Sequence, residues 1–259
     1  MKKIFLLVFA VTFFFLAGCG SSDKLNKIVV GIDDEFPPMS FHDADGKLVG
    51  FDIDLATEAA ERMGVDVEFR PIDWDKKREE ITSGRIDMIW NGLNISEERK
   101  EYMVFSKSYM DDRQVLLVRK DNPPKIFSEN DLEGKIVATQ AGSTSTDYFN
   151  QNPELKAALA DHKVYAKFNE ELDALRSGKV DVIVCDELIA RYEISRGSDD
   201  LQIIEVKIGK IVQTGIGFPK DKLALRDKVQ KAFDEMIADG TARKISEKWF
   251  KADVLRVRR

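Results

Sequence analysis

The 259-residue chain begins with a long apolar run and continues with short apolar segments separated by polar and glycine-containing ones. Beyond the first 26 residues these segments follow two periodicities. Lys27–Ile32 is short and rich in β-branched residues, which predicts a strand. Residues 52–63 place apolar side chains at helical spacing and are followed by Gly64, which predicts a helix that ends there. Alternation of strands and helices indicates an α/β layered sheet.

The other predicted elements follow from the same two patterns. They are a hairpin over 41–51 that turns at Asp45-Gly46, strands over 65–69, 86–90 and 215–218, and helices over 76–83 and 221–237.

An eight-residue pattern occurs twice. Residues 83–90 (SGRIDMIW) resemble residues 177–184 (SGKVDVIV), and in both copies a helix ends at glycine before a basic residue and a buried strand. Between the copies, Pro123 and Pro124 cannot continue a helix or a central strand. We therefore predict two similar lobes. Ligands of open α/β sheets bind beyond the carboxyl ends of strands, so residues 91–94 and 185–187 are candidate cleft segments.

The amino terminus has the composition of a secretory signal. Lys2 and Lys3 precede an apolar run of about 13 residues, which is shorter than the ~20 residues that span a bilayer. Residues 16–19 (LAGC) resemble the lipobox of bacterial lipoproteins, which implies cleavage before Cys19 and lipid on that cysteine. A plain signal with an incidental cysteine is the alternative. We expect residues 1–18 to be a signal peptide and 19–26 a lipidated tether.

Charge and composition exclude several function classes. The chain has 46 acidic and 40 basic residues, and its net charge of −6 becomes −8 for the side chains left after cleavage, which disfavours nucleic acid as a partner. Two cysteines and two histidines leave little room for a zinc site, and we expect no metal and no cofactor. Nucleotide-binding and hydrolase motifs are absent from the sequence. With Cys19 lipidated, Cys185 has no partner for an intrachain disulfide.

Two charged residues, one beside and one within the candidate cleft segments, could hold a zwitterion. Arg99 lies in a short helix that Ser96 caps, and a guanidinium near a helix start suits a carboxylate. Asp186 follows the corresponding strand of the other lobe. Each has a simpler interpretation: Arg99 as a surface residue paired with Glu97 or Glu98, and Asp186 as a helix cap. Phe36 and Trp74 follow strands in predicted loops, where they could form the walls of a ligand site.

Several stretches together resemble the bacterial extracellular solute-binding proteins of family 3, which serve ABC transporters of polar amino acids. The matching segments are 31–41 (GIDDEFPPMSF), 46–56 (GKLVGFDIDLA), 83–99 (SGRIDMIWNGLNISEER), 105–109 (FSKSY), 134–145 (GKIVATQAGSTS), 178–187 (GKVDVIVCDE) and 238–250 (ADGTARKISEKWF). The resemblance implies a periplasmic-binding-protein-like (type II) fold, with two α/β lobes that close over one amino acid.

The resemblance also implies a role for individual residues. Arg99 would bind the ligand carboxylate, Asp186 the ammonium, and Asp33 the polar end of the side chain. Asn94 and Asn91 replace the small hydroxyl residues that are commoner in the family, which affects selectivity more than binding. The full implied site comprises Asp33, Phe36, Trp74, Asn91, Gly92, Asn94, Arg99, Ser143, Thr144 and Asp186.

The family architecture implies a discontinuous first lobe over 27–117 and 214–259, a second lobe over 118–213, and hinge segments near 117–119 and 210–214. We expect a monomeric, lipid-anchored extracytoplasmic protein that passes arginine, lysine, glutamine or cystine to an ABC permease. The alternatives are a dehydratase-like enzyme that acts on a small cyclic carboxylic acid, and a surface adhesin or signalling module.

Overall fold

The computed structural model describes residues 26–121 and 123–256. The predicted signal peptide, Cys19 and all of the predicted tether except Asn26 lie outside the described residues.

Strands and helices alternate along most of the described chain. The strands are β1 (Lys27–Ile32), β2 (Glu35–Phe36), β3 (Ser40–His42), β4 (Leu48–Val49), β5 (Asp66–Pro71), β6 (Met88–Ile89), β7 (Asn94–Ile95), β8 (Met103–Phe105), β9 (Met110–Arg119), β10 (Ile136–Gln140), β11 (Asp161–Tyr165), β12 (Val182–Asp186), β13 (Leu201–Thr214) and β14 (Gly217–Pro219). The helices are α1 (Phe51–Met63), α2 (Lys77–Thr82), α3 (Glu97–Lys100), α4 (Thr144–Gln151), α5 (Pro153–Ala158), α6 (Phe168–Arg176), α7 (Glu187–Ser195), α8 (Leu223–Ala238) and α9 (Thr241–Phe250).

Two large sheets define two lobes. Lobe 1 is built around a five-stranded sheet with the order β5-β1-β6-β14-β8, and lobe 2 around a six-stranded sheet with the order β11-β10-β12-β9-β13-β7. The edge strand β7 of the second sheet comes from lobe 1, because it lies in the chain between the lobe 1 strands β6 and β8. In each sheet three neighbouring strands run parallel: β1 lies between β5 and β6, and β10 lies between β11 and β12. The two-lobe α/β fold expected from the sequence is confirmed.

The repeated sequence pattern occupies equivalent places in the two lobes. Gly84 and Gly178 both have left-handed backbones, with φ of 74° and 72°. Three residues later, Asp87 and Asp181 each accept a hydrogen bond from the neighbouring parallel strand, at 2.9 Å from the Val29 amide and 2.8 Å from the Ile136 amide. Each copy of the pattern therefore aligns a buried strand with its parallel neighbour, β6 with β1 and β12 with β10.

Most predicted elements form within a residue or two of their expected bounds, and two differ. The strand predicted over 86–90 pairs only at Met88–Ile89, and its last backbone bond, from the Trp90 amide to the Gly31 carbonyl, is 3.4 Å long. Phe36 lies in β2 and not in a loop, because it pairs with Ser40 in a three-stranded sheet of β2, β3 and β4.

The lobes are joined by two long antiparallel strands and lie in contact. β9 and β13 pair from Arg119 with Leu201 to Met110 with Thr214. On its other side, the end of β13 pairs with β7, which follows the lobe 1 strand β6 in the chain. Of three clusters of buried apolar side chains in the described residues, the first runs from Val30 and Phe51 in lobe 1 to Phe168 in lobe 2. The structure is thus a closed form. The residue bounds predicted for the lobes and hinges remain predictions.

Candidate functional site

Arg99 bridges the two lobes. The Ser96 hydroxyl caps α3 by accepting a 3.2 Å hydrogen bond from the Arg99 amide, which fixes the direction of the side chain. The residue is 3% exposed. Its Nη1 donates to the Asn94 carbonyl of lobe 1 at 2.7 Å, and its Nη2 donates to the Gly142 carbonyl of lobe 2 at 3.1 Å. The surface interpretation of Arg99 is therefore wrong, since a buried guanidinium faces the opposite lobe.

A second cation, Lys77, reaches the same carbonyl. Its Nζ donates to the Gly142 carbonyl at 2.7 Å and to the Trp74 carbonyl at 3.0 Å. Burial, together with the nearby charge of Arg99, lowers the pKa of Lys77 to about 8. Ser143 caps the next helix, α4, through a 3.1 Å bond from the Thr146 amide. Two cations beside a helix start form an environment that suits a carboxylate.

Asn94 and Thr144 meet across the cleft. The Asn94 side chain is buried and donates from Nδ2 to the Thr144 hydroxyl at 3.0 Å, while its Oδ1 accepts from the Thr214 hydroxyl at 3.1 Å. The structure thus brings together two predicted site residues that are 50 positions apart.

Asp186 occupies the N-cap position of α7, but its side chain makes no capping hydrogen bond. Its Oδ1 instead accepts from Gln114 Nε2 at 2.6 Å. The cap interpretation of Asp186 is therefore wrong, and the carboxylate is held toward β9, where the cleft residues lie.

Asp112 is a site residue that the sequence analysis missed. It is 6% exposed, and its Oδ2 lies 3.4 Å from both Asn94 Nδ2 and Gln114 Nε2. Its Oδ1 has no partner among the described residues. Burial and the neighbouring Asp186 charge raise the pKa of Asp112 well above its usual range, and burial also raises the pKa of Asp186. Asp112 stands between Asp111 and Arg113 in the sequence, so its neighbours give no signal that its side chain is buried.

Two further titratable groups lie beneath Asp186. Glu171 is 1% exposed, and neither carboxylate oxygen has a partner among the described residues. Burial and the charge of Asp186 raise the pKa of Glu171 well above its usual range. Burial, reinforced by Glu171, likewise raises the pKa of the Cys185 thiol. Burial therefore favours the neutral form of both groups, and the thiol is not an activated nucleophile.

Asp33 makes the second set of contacts between the lobes. Its carboxylate is buried and pairs with Lys167 Nζ at 2.7 Å and with Gln140 Nε2 at 2.6 Å, both from lobe 2. Asn91 supports it, because Asn91 Oδ1 accepts from the Asp33 amide at 3.2 Å. Asp33 and Asn91 were predicted site residues, whereas Gln140 and Lys167 were not.

The Gly92 loop is held from behind by a buried carboxylate. Gly92 has a left-handed backbone, with φ of 59°, and its amide donates to Asp52 Oδ2 at 2.6 Å. The Tyr109 hydroxyl donates to the same carboxylate at 3.0 Å. Asp52 is fully buried, and burial raises its pKa to about 7 against the hydrogen bonds that lower it.

The raised pKa of Asp52 predicts a pH dependence of stability. The unfolded aspartate has a pKa near ~4, so between about pH 4 and pH 7 the folded protein binds a proton that the unfolded chain does not. Stability from this group therefore falls as the pH rises to 7. We expect Asp52→Asn to raise the free energy of unfolding at pH 7.5 by on the order of several kcal/mol. The variant should therefore unfold at a higher temperature than the wild type.

Thermal unfolding of the ligand-free protein between pH 4.5 and 8 measures this effect. Exposed Asp66 provides the control, since Asp66→Asn removes a similar charge from the surface. Lower stability of Asp52→Asn at pH 7.5, with an unchanged pH dependence, contradicts the assignment.

The predicted aromatic residues adjoin these groups. Phe36 packs edge-on against Phe168 of lobe 2, with ring centroids 6.3 Å apart. Trp74 begins a 3-10 helix, and Lys77 Nζ lies 5.6 Å from its ring centroid. Their role as walls for a ligand side chain remains a prediction.

A cavity of about 710 Å³ borders the site and is lined by both lobes, including Ser96, Gln114 and Thr144. Asp33, Arg99 and Asp186 are not among its lining residues, so this cavity lies beside the charged groups and not between them. Within residues 26–121 and 123–256, no three His, Cys, Asp or Glu side chains are grouped to hold a metal ion.

Comparison with known proteins gives a consistent picture. The model of the bacterial extracellular solute-binding proteins, family 3, matches residues 28–252. The L-cystine-binding protein TcyJ of Escherichia coli strain K12 is 33% identical over 88% of this chain and 84% of its own length. The L-cystine-binding protein TcyA of Bacillus subtilis strain 168 is 31% identical over 98% of this chain and 99% of its own.

A solved structure shares the fold. An ABC uptake transporter substrate-binding protein from Streptococcus pneumoniae with bound histidine superposes with a TM-score of 0.84, at 38% identity over 91% of this chain and 96% of that one.

Proposed function

Because the chain belongs to family 3 of the bacterial extracellular solute-binding proteins, we propose that it captures one free polar L-amino acid by lobe closure and delivers it to an ABC importer. Its relatives are amino-acid-binding proteins of ABC transporters and not enzymes, and family members work outside the cytoplasm. This chain is therefore a substrate-binding protein.

The observation that carries the proposal is the pairing of opposite charges on facing lobes. Arg99 of lobe 1 and Asp186 of lobe 2 are both held by hydrogen bonds at the closed cleft. A free amino acid has a carboxylate for one and an ammonium for the other, so it binds both lobes at once. A ligand that binds the closed form better than the open form shifts the population toward closure.

The ligand candidates are arginine, lysine, glutamine and cystine. Cystine-binding relatives support cystine, and the acidic Asp33 is compatible with each of the others. Thermal shift of the purified mature protein against the free amino acids, cystine included, followed by calorimetry, tests the proposal. We expect a stabilised protein with at least one amino acid. Failure of every amino acid to bind favours the adhesin or signalling alternative and overturns the proposal.

We further propose that the protein is a monomer held at the outer face of the membrane by lipid on Cys19. The support is the lipobox-like sequence LAGC at residues 16–19. In the described part of the chain, the helices are too short or too polar to cross a bilayer.

We expect Cys19→Ser to move the protein from the membrane fraction to the soluble extracytoplasmic fraction, because the lipid attachment atom is lost. Cell fractionation with immunoblotting measures the change, and Cys185→Ser is the matched control. Retention of Cys19→Ser in the membrane fraction contradicts the lipid anchor.

A further inference from the structure

The loop that precedes α4 lies directly against lobe 1. Gly142 in this loop has a left-handed backbone, with φ of 65°. A Cβ atom on Gly142 would lie 3.0 Å from the Asp75 Cα and 3.1 Å from the Trp74 carbonyl oxygen, both in the 3-10 helix of lobe 1. The backbones of the two lobes therefore come so close at this point that a side chain on residue 142 would press them apart.

The contact at Gly142 determines where α4 begins relative to lobe 1. The two residues after it are Ser143, which caps α4, and Thr144, whose hydroxyl accepts a 3.0 Å hydrogen bond from Asn94 Nδ2 of lobe 1. Because Gly142 and Thr144 are close neighbours in the chain, a displacement of one displaces the other. Any group that holds Gly142 in place also aligns Thr144 with Asn94.

Lys77 holds Gly142 in place. Its Nζ donates to the Gly142 carbonyl at 2.7 Å and to the Trp74 carbonyl of its own lobe at 3.0 Å, so one ammonium joins the backbones of both lobes. The residue is 6% exposed, and both of these bonds are to carbonyls and not to a carboxylate. Hydrogen bonds from a charged donor are stronger than those between neutral groups, so Lys77 is placed to fasten the loop.

Arg99 shares this acceptor with Lys77. Its Nη2 donates to the Gly142 carbonyl at 3.1 Å, while its Nη1 is held by the Asn94 carbonyl. A ligand carboxylate that binds Nη2 competes with the Gly142 carbonyl. When Lys77 is present, that carbonyl keeps a charged donor after Arg99 has turned to the ligand. Without Lys77, the same exchange would leave the carbonyl without a donor in the closed cleft, which is costly.

Resting on the proposed function, we propose that Lys77 is a positioning residue that fastens the start of α4 to lobe 1 and thereby frees Arg99 for the ligand carboxylate. Lys77 acts on the loop and not on the ligand. Its contribution is therefore the same for every amino acid that the cleft accepts. That contribution is lost when either Lys77 or the close fit at Gly142 is removed.

Charged groups on three elements surround the Lys77 ammonium. Arg99 and Glu98 face it from α3, Asp147 from α4, and Asp75 from the 3-10 helix. Burial, together with the charge of Arg99, lowers the pKa of Lys77 to about 8. Because the loop before α4 covers the ammonium, separation of the lobes should raise this pKa toward its ordinary value of 10.5.

Isothermal titration with the amino acids that stabilise the wild type, beginning with L-cystine, L-arginine, L-lysine and L-glutamine, tests the role of Lys77. We expect Lys77→Met to lower each affinity by one common factor of about 10-fold to 100-fold. Lys77→Arg keeps a cationic donor and should recover part of the loss. Lys231→Met removes a lysine of lobe 1 whose side chain is 81% exposed, and should change each affinity by less than about threefold.

Two glycine variants test the fit from the side of lobe 2. Gly134 also lies in lobe 2 with a left-handed backbone, with φ of 70°, but a Cβ there would meet no atom within 4 Å. Gly142→Ala and Gly134→Ala therefore carry a similar backbone strain, and only Gly142→Ala displaces Lys77 Nζ, which lies 2.7 Å from the added Cβ position. We expect affinity to fall at least about 10-fold in Gly142→Ala and less than about threefold in Gly134→Ala.

A double variant separates positioning from direct ligand binding. If Lys77 acts through Gly142, then Lys77→Met and Gly142→Ala break one and the same contact. The affinity of the double variant should lie within about threefold of that of the weaker single variant. Losses that multiply mean that Lys77 contacts the ligand itself, and they overturn the positioning role while the proposed function stands. Lys77→Met losses that differ between amino acids have the same meaning.

The ligand-free protein gives a second readout. NMR titration of the lysine Cε resonance that is missing from the Lys77→Met spectrum measures the pKa of Lys77. We expect a pKa of about 8 in the wild type and in Gly134→Ala, and a higher pKa in Gly142→Ala. An equal pKa in all three proteins overturns the positioning role. If no free amino acid binds the wild type, the proposed function fails and the positioning role fails with it.

Discussion

Arg99→Ala is expected to lower amino-acid affinity by about 30-fold to several thousand-fold, corresponding to about 2–5 kcal/mol. The guanidinium is 3% exposed and already aligned by the Asn94 carbonyl, so the ligand carboxylate meets an oriented, poorly solvated cation. Without it, that carboxylate is buried with Lys77 as its nearest cation. Because Lys77 also holds Gly142 and Trp74, its ammonium replaces the guanidinium incompletely.

The Arg99 result needs variants that separate charge from geometry. Arg99→Lys keeps the charge but loses the planar pair of donors, so we expect an intermediate affinity. Arg113 is partly exposed and pairs with Glu187, and Arg113→Ala is the surface control with an expected change below threefold. Isothermal titration of each folded variant provides the measurement. Undiminished affinity of Arg99→Ala removes Arg99 from the site.

The second large effect that we expect is that of Asp186→Asn, which should lower amino-acid affinity by at least about 30-fold. The ligand ammonium would lose a charged acceptor that Gln114 holds in place at 2.6 Å. Exposed Asp173 on α6 is the control, since Asp173→Asn removes a charge of lobe 2 far from these contacts. Wild-type affinity in Asp186→Asn contradicts the assignment of the ammonium site.

The neighbouring Asp112 adds a pH signature to this second prediction. Burial raises the pKa of both Asp112 and Asp186, and the charge of Asp186 raises that of Asp112 further, so an incoming ammonium should displace a proton that this carboxyl pair holds in the empty closed cleft. Binding should therefore release a proton, and affinity should rise with pH from the acidic toward the neutral range.

Titrations at pH 6 in two buffers of different ionisation enthalpy measure the released proton. We expect Asp112→Asn to abolish most of this release, because an amide cannot hold the displaced proton. Absence of proton release by the wild type at pH 6 would show that the carboxyl pair is already ionised before the ligand binds.

Much of the fold could be predicted because it depends on local patterns. The apolar spacing of 52–63 and the left-handed Gly64 define α1, and the repeated pattern at 83–90 and 177–184 identifies the equivalent strands β6 and β12. These features involve residues close together in sequence. The position of Arg99 beside the cleft was predictable for the same reason, since Ser96 caps its helix three residues earlier.

The missed residues depend on contacts between distant parts of the chain. Lys167 lies 134 positions from Asp33, and in sequence it is an ordinary lysine before a helix. Asp52 reaches Gly92 across 40 positions and resembles an acidic residue in the first turn of a helix. Asp52 supports the Gly92 loop because it is buried, and half-buried Lys167 contacts Asp33 from the other lobe. Both properties depend on how the assembled lobes pack.

The place of β14 in lobe 1 has a consequence for how the chain folds. This strand lies between β6 and β8, although it follows every other strand in the sequence. The parallel strands β10, β11 and β12 of lobe 2 are complete by Asp186, whereas the sheet of lobe 1 stays split until Gly217–Pro219 is available. A chain released or truncated before that point has an open gap in its first sheet, with unpaired backbone groups that favour aggregation.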